Sequence, residues 1–332
     1  MPATCGDRRE LAQRVSAGGE GANVCEAGIP PSSERANGVG TLRRSERGVM
    51  VEKRIGIIGS GIMGSGIAEV AAKAGYEVTL RSRSQSSADA TLSGLERSLT
   101  KQVEKGKLTA ETREATLARV VTVTDLDGLA ECDLVIESII ENLEPKQELF
   151  TKLDRICAPH AVLATNTSTL PVVELAMRTW RPEQVCGIHF FNPAPVMPLV
   201  ELVRAITTSD ETIATARAFA EGCGKVVVTV KDRAGFVVNA LLFPYLNNAV
   251  KLLAAEVATR DDIDAAMKGG CNFPMGPLEL LDLVGLDTSL AILEALHGEY
   301  GDPNYEPAPL LRRLVADGRL GRKGGAGFYD YS

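Results

Sequence analysis

His189 is one of three histidines in the chain. A short apolar run leads into it, and Pro193, Pro195 and Pro198 follow and exclude a helix. Leu199 to Val203 then resumes an apolar run with Glu201 at its centre. A strand, a proline-shaped loop and a returning strand would set Glu201 beside His189. A carboxylate on one imidazole nitrogen fixes the tautomer and stabilises the imidazolium, which leaves the other nitrogen to exchange a proton near neutral pH. On these residues alone the pair reads equally as a general base with its partner, or as a core histidine with a solvated glutamate beside it.

A second stretch carries its chemistry in its backbone. Arg54 to Ile58 is apolar after its first residue, and Gly59-Ser60-Gly61-Ile62-Met63-Gly64 follows and opens into a small-residue helical pattern that ends at Gly75. In the spacing G-x-G-x-x-G between strand and helix, Gly59 makes the tight turn, Gly61 lets amides approach a pyrophosphate, and Gly64 permits close helix–strand packing. The helix N-terminus then points its positive end at the phosphates. Dinucleotide binding is the reading, with a plain structural turn as its bland alternative.

These residues need a scaffold, and the pattern around them supplies one. A second strand is expected over Glu77 to Arg81, and further buried strands over Val120 to Val123, Leu134 to Ser138, Ala161 to Thr165 and Lys225 to Val230. Between them lie helical patterns: Leu92, Leu95, Leu99 and Val103 within a polar segment from Ser86 to Arg119, then Leu143 to Ile156, Val172 to Met177 and Asp210 to Glu221. Ser98, Lys101, Lys105 and Lys107 lie on the polar face of the first segment, which by charge alone is a solvated face. Asn166 and Ser168 follow a strand and face either the ligand crevice of a parallel sheet or the helix they cap. From Phe236 onward no strand is evident. Helices are expected over Phe236 to Glu256, which is apolar nearly all round and so buried on more than one side, and over Asp261 to Lys268, Pro277 to His297 and Pro309 to Asp317. The final glycine- and base-rich segment, with Arg319, Arg322 and Lys323, meets a phosphate or is a solvated tail.

Composition narrows the class. A chain of 332 residues with 45% hydrophobic content and net charge −7 is globular, of about two domains, and unsuited to non-specific binding of nucleic acid or an anionic membrane. No transmembrane helix is expected. Cys5, Cys25, Cys132, Cys157, Cys186, Cys223 and Cys271 show no metal-ligand spacing, which reads as reduced thiols in a cytoplasmic protein with no metal. Residues 1–50 contain no aromatic residue and no periodicity; they are expected to be a disordered extension, with Met50 as the native start.

Taken together, Gly59 to Ala68, Asp133 to Glu137, Asn166-Thr167-Ser168, His189-Phe190-Phe191-Asn192-Pro193, Gly235 to Asn239 and Pro274-Met275-Gly276-Pro277 resemble the 3-hydroxyacyl-CoA dehydrogenase family in order and spacing, from about residue 50 to the C-terminus. The resemblance implies an α/β fold: a Rossmann-like NAD(P)-binding domain over 51–234, then an all-helical C-terminal domain over 235–332 that forms a homodimer. It implies hydride transfer at C3 of a short-chain 3-hydroxyacyl-CoA. His189 matches the family's catalytic base, Glu201 its carboxylate partner, and Ser168 and Asn239 match substrate contacts. Glu141, Lys146, Ser168 and Asn192 match cofactor contacts beside Gly59, Gly61 and Gly64, and Ser98 and Lys105 match contacts to coenzyme A. Where the family carries an acid after the second strand, this chain has Ser82 between Arg81 and Arg83. A carboxylate there binds the adenine ribose and repels a 2′-phosphate, so these three residues favour NADP over NAD, the alternative being that the arginines are solvated at the strand end and both cofactors are accepted. Two other readings stay open: a β-hydroxyacid dehydrogenase with a substrate lacking CoA, and a non-catalytic dinucleotide-binding protein of the same fold.

Overall fold

Alternation within short apolar strands, buried on both faces, builds the first half of the molecule. A computed structural model describes residues 54–331. The expectations for residues 1–50, including the start at Met50, lie outside the described residues. In chain order come β1 (Arg54–Ile58), α1 (Ile62–Lys73), β2 (Glu77–Arg81), α2 (Gln85–Glu104), α3 (Ala110–Ala118), β3 (Val120–Val123), β4 (Leu134–Glu137), α4 (Leu143–Ile156), β5 (Val162–Thr165), α5 (Val172–Ala176), β6 (Val185–Phe190), β7 (Leu199–Arg204), α6 (Asp210–Gly222) and β8 (Val226–Lys231). They form one eight-stranded sheet in the order β3-β2-β1-β4-β5-β6-β7-β8. All neighbours are parallel except β6 and β7, which run antiparallel and place His189 directly opposite Glu201. The order reverses at β1, so the crevice outside the carboxyl ends of β1 and β4 is where such a sheet binds its ligand.

The alternation can be read residue by residue. Ile55, Ile57, Leu134, Ile136, Val162 and Ala164 point to the face covered by α1, α2 and α6. Ile58, Val135 and Leu163 point to the opposite face, under α4 and α5. A parallel sheet covered on both sides needs this near-continuous apolar composition.

The remaining helices are α7 (Val238–Ala254), α8 (Arg260–Cys271), α9 (Pro277–Val284), α10 (Leu286–Tyr300) and α11 (Pro309–Ala316). They share a core of their own around Phe243, Leu246, Val250, Leu281 and Leu293. The fold is therefore a Rossmann-like dinucleotide-binding half followed by a helical half. Among the described residues, no helix is long and apolar enough to cross a membrane.

Three expectations are corrected. The segment from Ser86 to Arg119 is two helices: Gly106 takes φ 66°, and Thr109 begins α3 by accepting from the backbone of Thr112. Pro277 to His297 is also two helices, broken at Gly285 with φ 102°. The terminal segment is not a solvated tail. Arg319 donates to Gly327 O at 2.8 Å, Arg322 pairs with Glu279, and Lys323 pairs with Asp287. Asp282 accepts the backbone N–H groups of Phe328 and Tyr329, both at 2.8 Å, and so fixes the closing strand-like turn onto α9.

Candidate active site

The antiparallel pairing of β6 with β7 sets the two side chains for proton transfer. His189 Nδ1 lies 2.9 Å from Glu201 Oε2, and both residues are buried, at 4% and 1% exposure. The core-histidine alternative requires a solvated glutamate, and Glu201 is not solvated. Its other oxygen accepts the backbone N–H groups of Val237 and Val238 at 3.0 and 2.9 Å. Phe191 and Phe236 flank the imidazole with ring centroids 4.5 and 5.5 Å away, which limits its rotation. On the opposite nitrogen, His189 Nε2 lies 3.1 Å from Ser168 Oγ. The imidazole is thus held on one side by a carboxylate and presents its other nitrogen to a hydroxyl.

Ser168 opens onto a cleft of about 1160 Å³ lined by Gly59, Gly61, Arg81, Arg83, Glu141 and Asn166, with Thr288 and Ile292 of α10 among its other walls. Ser168 is placed by Glu141, whose Oε1 accepts from Ser168 N at 2.8 Å, from Thr169 N at 3.2 Å and from the Thr167 hydroxyl. Burial acts to raise the Glu141 carboxyl, but the Lys146 ammonium and the hydrogen bonds from Thr167 and Ser168 outweigh it and hold the group below its ordinary value. Asn166 accepts from Phe190 N at 2.8 Å and so ties the strand of His189 to the loop of Ser168.

The residues fit a dinucleotide. Gly59 has φ 109°, and a Cβ on Gly64 would overlap the carbonyl oxygen of Gly59, so neither position accepts a side chain. Around Gly61 there is open space on the side a Cβ would occupy, which is where a phosphate must approach the backbone. Gly61 is also the N-cap of α1, with no side chain of its own to satisfy the first N–H groups.

Comparison with known proteins agrees with this geometry. The family model for the 3-hydroxyacyl-CoA dehydrogenase NAD binding domain matches residues 54–233, and that for the C-terminal domain matches 235–331. The chain belongs to the 3-hydroxyacyl-CoA dehydrogenase family. A probable 3-hydroxybutyryl-CoA dehydrogenase of Bacillus subtilis is 47% identical over 279 residues, covering 84% of this chain and 97% of that protein. The mitochondrial hydroxyacyl-coenzyme A dehydrogenase of Homo sapiens is 42% identical over 289 residues, 85% of this chain and 92% of that protein. The crystal structure of (S)-3-hydroxybutyryl-CoA dehydrogenase from Ralstonia eutropha has a TM-score of 0.82 at 42% identity, with 84% of this chain and 99% of that one covered.

Within this member of the 3-hydroxyacyl-CoA dehydrogenase family, not every residue named from sequence reaches the cleft. Lys146 does not: it is 1% exposed, and its Nζ lies 2.8 and 2.9 Å from the two oxygens of Glu137 and 3.2 Å from Glu141 Oε2. Its three protons are all engaged, so it touches the site only through Glu141. Ser82 is 1% exposed, and its hydroxyl has no partner among the described residues, while Arg81 and Arg83 on either side line the cleft. Arg81 is held in place by donating from Nε to Thr124 O at 3.0 Å. Ser98 turns toward α1, where its hydroxyl donates to Glu69 Oε2 at 2.8 Å. Lys105 caps the end of α2, exposed, and Asn192 is exposed in the loop after β6; neither is part of the cleft wall. Asn239 is buried in the first turn of α7, immediately beyond the two N–H groups that Glu201 accepts.

Glu137 was missed as a site residue. It ends β4, is fully buried, and stands behind Glu141 through Lys146. The available signal was an acid at the end of a strand whose other residues are all apolar, followed nine positions later by a lysine on an amphipathic helix.

Proposed function

We propose that this protein catalyses reversible hydride transfer between a nicotinamide cofactor and C3 of a short-chain 3-hydroxyacyl-CoA, interconverting 3-hydroxybutyryl-CoA and acetoacetyl-CoA. The observation that carries the reading is the line Glu201–His189–Ser168, which ends at the cleft of the glycine turn. A bound nicotinamide would supply the hydride acceptor for C3 in oxidation and the hydride donor in reduction. His189 Nε2 takes the proton of the C3 hydroxyl in oxidation, and Glu201 stabilises the imidazolium as it forms. In reduction the imidazolium gives that proton back. Ser168 and Asn239 orient the substrate oxygens so that C3 faces the cofactor. No protein covalent intermediate is required.

Gly59 and Gly61 meet the pyrophosphate, Gly64 lets α1 pack closely enough to aim its N-terminus there, and Glu141 with the 167–169 turn meets the nicotinamide side. Asn192 adds a cofactor contact from its loop, and Ser98 and Lys105 meet the CoA moiety at the outer end of α2. For Ser98 this requires its hydroxyl to be shared with Glu69. The cofactor preference is for NADP(H): Arg81 and Arg83 flank position 82, which carries no charge to repel a 2′-phosphate. The helical half is the homodimer interface, a reading supported by Leu241 and Val257, which are 71% and 67% exposed. The cysteines free in the structure support a reducing, cytoplasmic setting.

The deciding test follows absorbance of the reduced cofactor with acetoacetyl-CoA and, separately, with free acetoacetate. Turnover of the thioester alone is expected, and His189→Ala should lower it by about 10² to 10⁴. Equal rates with free acetoacetate, or near-normal turnover by His189→Ala, overturn the reading.

A further inference from the structure

The reaction proposed above leaves one group of buried charges without a task. Glu137 and Lys146 are 0% and 1% exposed, and their partners are side chains and backbone of the protein itself. Glu137 Oε1 accepts from Ile139 N at 2.6 Å and from Lys146 Nζ at 2.8 Å; Oε2 accepts from the same Nζ at 2.9 Å and from Thr165 Oγ1 at 2.7 Å. Lys146 spends its last donor direction on Glu141 Oε2, 3.2 Å away. Glu137 and Lys146 therefore sit behind the wall of the cleft, and Glu141, which is part of that wall, completes the set.

A buried ion pair is a poor device for stability alone, because desolvation cancels most of its attraction and apolar residues of the same volume do as well or better. What it does supply is geometry. The triad joins the end of β4, the first turn of α4 and, through Glu141, the 167–169 turn that carries Ser168. Thr165, which bonds Glu137, also accepts from Thr167 N at 3.3 Å, so the turn is held from both its ends.

We propose that Glu137 is a positioning residue for the hydride-transfer reaction: by anchoring Lys146 it orients Glu141, and Glu141 sets Ser168 opposite His189 Nε2. The inference rests on the functional reading above. Ser168 is one side of the catalytic line, and displacement of such a group by about 1 Å costs on the order of 10² in rate.

The test is a double-mutant cycle on the full chain. Glu137→Gln should lower kcat with acetoacetyl-CoA by at least about tenfold, and by less than about twofold when introduced into Ser168→Ala, because the group it positions is then gone. The same loss in both backgrounds, or no loss in either, overturns the proposal. Glu137→Gln leaves Lys146 partly unpaired and risks misfolding. The charge-neutral pair Glu137→Gln with Lys146→Gln is therefore carried through the same cycle, with thermal unfolding as a check, and the same pattern is expected. Should the unmodified protein fail to turn over acetoacetyl-CoA, the functional reading fails on its own. Glu137 is then judged by fluorescence titration with NADPH: a dissociation constant raised severalfold by Glu137→Gln supports it, and an unchanged one overturns it.

Discussion

Glu201 accepts the backbone N–H of Val238 at 2.9 Å, so the carboxylate that orients the imidazole also terminates the first helix of the helical half. The N-cap of α7, Val237, has an apolar side chain that makes no capping hydrogen bond. Glu201 fills that place from the sheet, and its negative charge suits the positive end of the helix. One side chain thereby fixes His189 and the entry to the segment bearing Asn239.

That double duty separates two variants. Glu201→Ala should lower unfolding stability by about 1 to 2 kcal/mol more than His189→Gln, because only the former leaves helix N–H groups unpaired in the interior. Both should lose turnover by on the order of 10² or more. Denaturant unfolding without cofactor measures the difference, and equal stabilities would show that Glu201 contributes nothing to the helix start.

For coenzyme A, the outer end of α2 is the place to look. Lys105→Ala should raise KM for the thioester severalfold and leave KM for the nicotinamide cofactor unchanged, as expected when an ion pair is made alike in ground and transition states. A parallel change in both constants assigns Lys105 to the helix, not to the substrate.

Position 82 tests the proposed cofactor preference. The unmodified protein is expected to have the higher kcat/KM with NADPH, and Ser82→Asp should shift preference toward NADH by repelling the 2′-phosphate. Because Ser82 is buried, part of the effect requires the new carboxylate to turn toward the cleft. A larger kcat/KM with NADH in the unmodified protein would show that Arg81 and Arg83 do not read the 2′-phosphate.

The lowered Glu141 carboxyl gives a pH test with a definite sign. A carboxyl held below its unfolded value contributes stability that is present above the unfolded pKa of about 4.3 and is lost as pH falls through the folded value. Thermal unfolding of the wild type and Glu141→Gln should therefore differ at neutral pH, and the gap should narrow as the pH falls below the unfolded value of about 4.3. Glu141 is 39% exposed, so the gap is expected to be small even at neutral pH. A gap that stays constant down to about pH 3 would locate its source elsewhere.

The strands were legible because a two-faced parallel sheet demands apolar runs, and Ile55, Ile57, Leu134 and Ile136 leave little room for another reading. The His189–Glu201 pair was legible for a related reason: the prolines between them forbid anything but a loop. Helix breaks were harder. Gly285 looks like any interior glycine, and only its φ of 102° shows that the backbone turns there. Tertiary acceptors were not legible at all. Nothing local says that Glu201 will accept from residues 237 and 238, or that Ser98 will spend its hydroxyl on Glu69. Each depends on where another element comes to rest, and sequence spacing carries no trace of that.

The register of β6 against β7 bears on which insertions this protein tolerates. His189 and Glu201 are aligned by the strand ladder and not by the length of chain between them. A residue inserted within either strand shifts every later side chain to the opposite face and separates the pair. One inserted beside Val196, which is 72% exposed at the tip of the connecting loop, leaves the ladder and the pair where they are. The tip of the loop is thus the place to graft a tag or a label within a few residues of His189 without disturbing its alignment, so long as the graft keeps the Lys225 bonds to Ala194 O and Met197 O at 2.6 and 2.8 Å.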